Sequence, residues 1–110
     1  MTAIFTMKSG DTLPSLEATL TNAAGLAVDL TTAASVALHV TTMGTRTVVL
    51  NEGGVIVAPT LGQVRFDWDV DDVLPAANYL AEWEVTFNDG SVESFPNNGY
   101  FVIRVIAALA

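Results

Sequence analysis

The segment Asn78–Tyr100, NYLAEWEVTFNDGSVESFPNNGY, constrains the fold more than any other part of the chain. Tyr79, Ala81, Trp83, Val85 and Phe87 alternate with Leu80, Glu82, Glu84, Thr86 and Asn88. Successive side chains of an extended backbone point to opposite faces. This period of two therefore sets an aromatic-rich row on a buried face and a mostly polar row in water. Asp89-Gly90 predicts a tight hairpin turn with two positive-φ positions. The chain returns through Ser91–Phe95 and breaks again at Pro96–Gly99. The result is a long antiparallel hairpin.

Similar runs fill the rest of the sequence. Ala3–Lys8, Leu13–Thr21, Ser35–Met43, Thr45–Asn51, Val55–Pro59, Gly62–Val70 and Tyr100–Ile106 read as strands, separated by turn signals such as Ser9-Gly10-Asp11, Asn22–Gly25, Gly44, Leu61-Gly62 and Pro75. Val36, Leu38 and Val40 form one alternating face, and Val64, Phe66, Trp68 and Val70 another, with Gln63, Arg65, Asp67 and Asp69 opposite. Short strands at such spacing predict an all-β, immunoglobulin-like antiparallel sandwich of about seven to nine strands. The 110 residues suffice for one domain. At most one turn of helix is expected around Thr32–Ala34, and a second short helical turn over Asp71–Ala76. Tyr79 opens a strand just after a turn, the place of a tyrosine corner whose hydroxyl closes the preceding loop. In the final strand Phe101, Ile103 and Val105 alternate, yet Val102 and Ile106 are apolar too. A strand apolar on both faces is central or covered.

Charge excludes some partners. Four basic residues (Lys8, Arg46, Arg65, Arg104) face twelve acidic ones, for a net charge of −8. No basic footprint exists for nucleic acid or for an anionic membrane surface. Charged residues make up 15% of the chain, against ~25% in typical soluble domains. A surface so poor in charge suits contact with other subunits. Cysteine is absent, which removes disulfide and thiolate chemistry. The N-terminus lacks the basic and apolar regions of a signal peptide, and no window reaches the ~18 apolar residues of a membrane span.

Candidate chemistry is sparse. Asp67, Asp69, Asp71 and Asp72 form the densest carboxylate cluster, but the alternation with Phe66, Trp68 and Val70 makes the first two the wet face of a strand. No calcium loop with a closing Glu follows, and whether the cluster binds calcium stays open. Glu82 and Glu84 lie about 7 Å apart on one strand face by strand rise. No cleft is evident around them. His39, the single histidine, has no Ser, Cys or carboxylate motif near it in sequence. Nucleotide-binding, nucleophile-elbow and zinc-protease motifs are missing. The aromatics share inner faces and read as core rather than as a sugar-stacking platform. No catalytic residue, metal or cofactor is expected.

The order of motifs carries a resemblance. The elements are Lys8-Ser-Gly-Asp-Thr-Leu-Pro14, Leu20-Thr-Asn-Ala-Ala-Gly-Leu-Ala-Val-Asp-Leu30, the strand Val36–Val40, Gly62-Gln-Val-Arg-Phe-Asp-Trp68, Leu74-Pro75 before Tyr79, Phe87-Asn-Asp-Gly90 and Phe95-Pro96-Asn97-Asn98-Gly99-Tyr100. This set resembles the immunoglobulin-like N-terminal domain of tailed-bacteriophage baseplate upper proteins and related small phage structural proteins. Asn78 stands where that family usually has Gly, and the chain stops at Ala110 without a stalk or receptor-binding part.

The resemblance implies a non-enzymatic virion structural protein. It would dock onto tail, baseplate, fibre or capsid subunits in multiple copies per particle, with no nucleic acid or membrane partner. The expected interface is at the chain ends: Ile4, Phe5, Val102, Ile106 and Leu109. The alternative expectation is a carbohydrate- or cell-surface-binding sandwich module.

Overall fold

The computed structural model describes residues 3–109. Nine strands form among them: β1 (Ile4–Lys8), β2 (Leu16–Thr19), β3 (Ala33–Thr42), β4 (Val48–Gly53), β5 (Val55–Ala58), β6 (Gln63–Phe66), β7 (Ala77–Phe87), β8 (Val92–Phe95) and β9 (Phe101–Ile106). Each expected strand is present. The ends differ most where the chain must leave the sheet. β2 begins at Leu16 because Leu13-Pro14 precedes it, and proline cannot donate to a ladder. β6 stops at Phe66, so Asp67 and Asp69 lie on a loop instead of on the wet face of a strand. The helical turn expected over Asp71–Ala76 does not form, and no helix forms at Thr32–Ala34. Thr31 and Thr32 lie in a tight turn in which the Ala33 N–H donates to the Leu30 carbonyl, Ala33 already belongs to β3, and one 3-10 turn appears at Pro59–Leu61.

The strands make two sheets. The larger runs β1-β9-β7-β3-β4, and the smaller runs β2-β6-β5. β3 occupies one side of β7, from Tyr79 to Phe87. β8 and β9 share the other side: β8 pairs with Thr86–Trp83 and β9 with Ala81–Ala77. They are one return strand interrupted at residues 96–100, the break that Pro96–Gly99 signals in the sequence. β9 is flanked by β7 and by parallel β1, so the doubly apolar last strand is central within its sheet. The turn at Asp89-Gly90 takes a different form from the one expected. Only Gly90 has positive φ (88°), the Gly90 N–H donates to the Phe87 carbonyl, and the Phe87 N–H donates to the Ser91 carbonyl. That is a three-residue loop, a type I turn closed by a left-handed glycine.

The core lies between the sheets. Leu16, Val64 and Phe66 of the smaller sheet face Val36, Leu38, Val40, Trp83, Val85 and Ile103 of the larger, all buried. Trp68 extends this core beyond β6, edge-on to Phe66 at 5.0 Å and stacked on Phe5 at 6.3 Å. The Tyr79 hydroxyl donates to the Pro75 carbonyl at 2.6 Å, which is the expected tyrosine corner.

Candidate binding cleft

The two sheets are unequal, and the mismatch opens a cleft beside β2. Six strands face three, so part of the larger sheet's inner face has no strand opposite it. A cleft of about 530 Å3 occupies this place. One wall is residues 16–21 of β2 and its extension, and the other is Ile4 and Phe5 of β1. Its inner end touches the buried Trp83, Phe95 and Phe101, and its rim carries Asn98 and Tyr100 from the break between β8 and β9. Tyr100 is held there by Arg46: the guanidinium sits 5.0 Å over the ring and donates to the hydroxyl at 3.1 Å.

The direction of the β2 backbone follows from its bonds. The Leu20 N–H donates to the Gly62 carbonyl, and the Leu20 carbonyl accepts from Val28, so residue 20 turns its peptide groups toward β6 and its neighbours. Peptide groups alternate sides along a strand. Leu16 and Ala18 therefore bond to β6, while Glu17 and Thr19 turn N–H and C=O away from it, to the open edge. Among the described residues no backbone group meets them there. Glu17 is the one acid lining the cleft, and Arg65, opposite it in register, is committed to Asp67 at 2.9 Å.

The other candidates from the sequence are dispersed. Asp67 accepts hydrogen bonds from Ser15 and Arg65, which hold its carboxyl below the usual carboxylate range. Asp69 and Asp72 cap a turn of their own: the Asp69 N–H donates to Asp72 Oδ2, and the Asp72 N–H donates to the Asp69 carbonyl. Among the described residues no group of three or more acids and histidines is arranged to hold a metal. Glu82 and Glu84 sit half-buried on the outer face of β7, where β3 brings His39 Nδ1 to 3.5 Å from Glu82 and 4.0 Å from Glu84. That meeting depends on the register between β3 and β7, which no local pattern reveals. Both tryptophans are buried, so neither offers a sugar-stacking face.

Sequence reasoning missed one acid. Glu52 on β4 lines one hollow with Asp72 on the loop before β7, where the two carboxyl groups can share a hydrogen bond once one of them carries a proton. That bond, then desolvation, then the charges of Asp72, Asp69 and Asp71 push Glu52 up to about 7. The pair joins residues far apart in sequence, and nothing in the acidic run itself points to Glu52.

The expected interface residues separate into two groups. Ile4 and Val102 are adjacent in register, with Ile4 largely exposed and Val102 half-buried. Ile106 (38% exposed) and Leu109 are free toward solvent at the other end of β9. Phe5 turns inward, onto Trp68, and is part of the packing. Ile4 and Phe5 line the cleft, whereas Val102, Ile106 and Leu109 do not.

No family model matches the chain, and no curated protein matches it. Among solved structures it is similar to CopC from Methylosinus trichosporium OB3b, with a TM-score of 0.56 and 13% identity over 99% of this chain and 89% of that one. At this identity the likeness shows the fold, an immunoglobulin-like β-sandwich. It also corrects the expected role and location. The likeness runs to a protein that is no virion component, and nothing found supports a phage structural function. The physical reason is plain in the structure. The motifs that carried the expectation include the tyrosine corner, the hairpin turn and alternating strands, and these build an immunoglobulin-like sandwich whatever its role.

Proposed function

We propose that the chain is a non-enzymatic binding module that recognises a protein partner through the cleft beside β2. The observation that carries this reading is the unpaired row of peptide groups at Glu17 and Thr19, set along a cleft whose inner end is aromatic. Open strand edges pair with extended segments of other chains. Main-chain bonds supply affinity, and pockets for alternate side chains supply selectivity. The cleft holds one carboxylate and no histidine, a poor set for proton transfer and a good one for docking. Selection of a displayed random-peptide library against the full chain tests the reading. It predicts enrichment of a convergent sequence family, and failure to enrich any family would contradict it.

A further inference from the structure

We infer that the occupant of the cleft is an extended segment of another protein, apolar at alternate positions and carrying a lysine or arginine, which adds to β2 as a fourth strand of the smaller sheet. This rests on the protein-recognition reading above and names the chemistry of its partner.

Three features on the page converge. The first is backbone geometry: Glu17 and Thr19 offer two N–H donors and two carbonyl acceptors with a two-residue spacing, which only another extended backbone matches. The second is the wall composition. Alternate residues of an added strand point into the sandwich, where Phe5 and Phe101 wait, and out of it. The inward positions call for apolar side chains. The third is charge. Glu17 is the only charged side chain lining the cleft, and the chain as a whole carries −8. An incoming basic side chain finds a carboxylate whose cross-strand neighbour Arg65 is engaged with Asp67. Long-range attraction also favours a cationic segment.

The same charge argues against a second copy of this chain. Its basic residues are few, and most are engaged. Arg46 is stacked on Tyr100, Arg65 is paired with Asp67, and Arg104 lies in β9 between two strands. Lys8 sits in β1, the one extended basic segment with a free edge, and like-charged copies would repel as it approached.

The test uses the full chain, labelled with nitrogen-15, and two acetylated heptapeptides. One alternates valine with lysine, and the other has glutamate in place of each lysine. The lysine peptide is expected to shift the amide signals of Glu17, Thr19, Ile4 and Tyr100. The glutamate peptide is expected to bind at least about tenfold more weakly. Thr19→Pro removes one outward donor at an edge position that tolerates proline, so it should weaken the lysine peptide by roughly tenfold while leaving the thermal midpoint within a few degrees. If Thr19→Pro unfolds the chain, Glu17→Lys serves instead, and its preference between the peptides should reverse. Equal affinity for both peptides overturns the inference, as do shifts confined to another face, no binding, or a dimer formed through β1 and β2 in sedimentation. Library binders that sit in the cleft without pairing to the β2 edge would sink this inference and leave the protein-recognition reading intact, whereas binders that map outside the cleft would sink both. A library without binders would sink both.

Discussion

Glu17 and Thr19 differ from their neighbours in one respect: their peptide groups have water where Leu16 and Ala18 have β6. No side-chain property announces this. The alternation of Leu16, Ala18 and Leu20 with Glu17, Thr19 and Thr21 is legible in the sequence and tells which face is wet. It does not tell which side of the strand has a neighbour, because that is a property of sheet order. Tyr79 is the opposite case. Its position after a turn and before an alternating run sufficed to place its hydroxyl on the preceding loop, and the bond to Pro75 is present. Glu52 is the residue whose behaviour is most specific to the folded chain. Its pKa is raised to about 7 by the bond to Asp72, whereas in an unfolded chain it titrates near 4.5. The folded state therefore holds a proton that the unfolded state has lost between these values. Stability from this group is complete below about 4.5 and falls as pH rises through about 7. Glu52→Gln removes the loss. Thermal unfolding should show the variant more stable than the parent at pH 8, by up to about 1 kcal/mol because the site is exposed and screened. The two should be equal at pH 4. An equal advantage at both pH values would show that the titration is not the cause.

Among the elements, the smaller sheet depends on one close approach. Gly62 ends the 3-10 turn with φ 67° and leads into β6. A Cβ there would lie 2.8 Å from the Val28 carbonyl oxygen and 2.9 Å from that of Leu20. The backbone of residues 20–28 is thus pressed against the start of β6, and this contact fixes the far end of β2. Gly62→Ala is expected to cost about 2–4 kcal/mol in chemical denaturation, from both the left-handed backbone and the clash. Gly25→Ala, at φ 82° with open space around it, should cost only about 1 kcal/mol. Equal costs would mean that the close approach carries no energy of its own. The nine strands were legible as elements because each has its own alternation and its own turn residues. Their lengths were less so. β6 reads as running to Val70, since Phe66, Trp68 and Val70 keep the period of two, yet only Trp68 continues into the core while Val70 is exposed. A tryptophan packed on Phe5 and Phe66 prolongs the pattern after the ladder has ended.

At the scale of the molecule, the proposed binding function rests on a mismatch between two sheets. The β-sandwich class was readable from periodicity and turns, because both are local. The cleft was not, because it arises from six strands facing three, and the strand count of each sheet depends on pairing between distant segments. For the same reason the motif order pointed to a virion role that the fold likeness does not support: it records how a sandwich is built and not what an open edge receives. Ile4 and Phe5 line the cleft, whereas Val102, Ile106 and Leu109 lie away from it. The acidic balance keeps its weight, since it sets the charge of the expected partner segment. The most direct test of β2 as the working edge is amide hydrogen exchange on the full chain, with and without a peptide enriched from the random library. Slowed exchange at Glu17 and Thr19, with Leu16 and Ala18 unchanged, is the predicted result. Protection confined to the opposite edge at β5, or to β4, would contradict it.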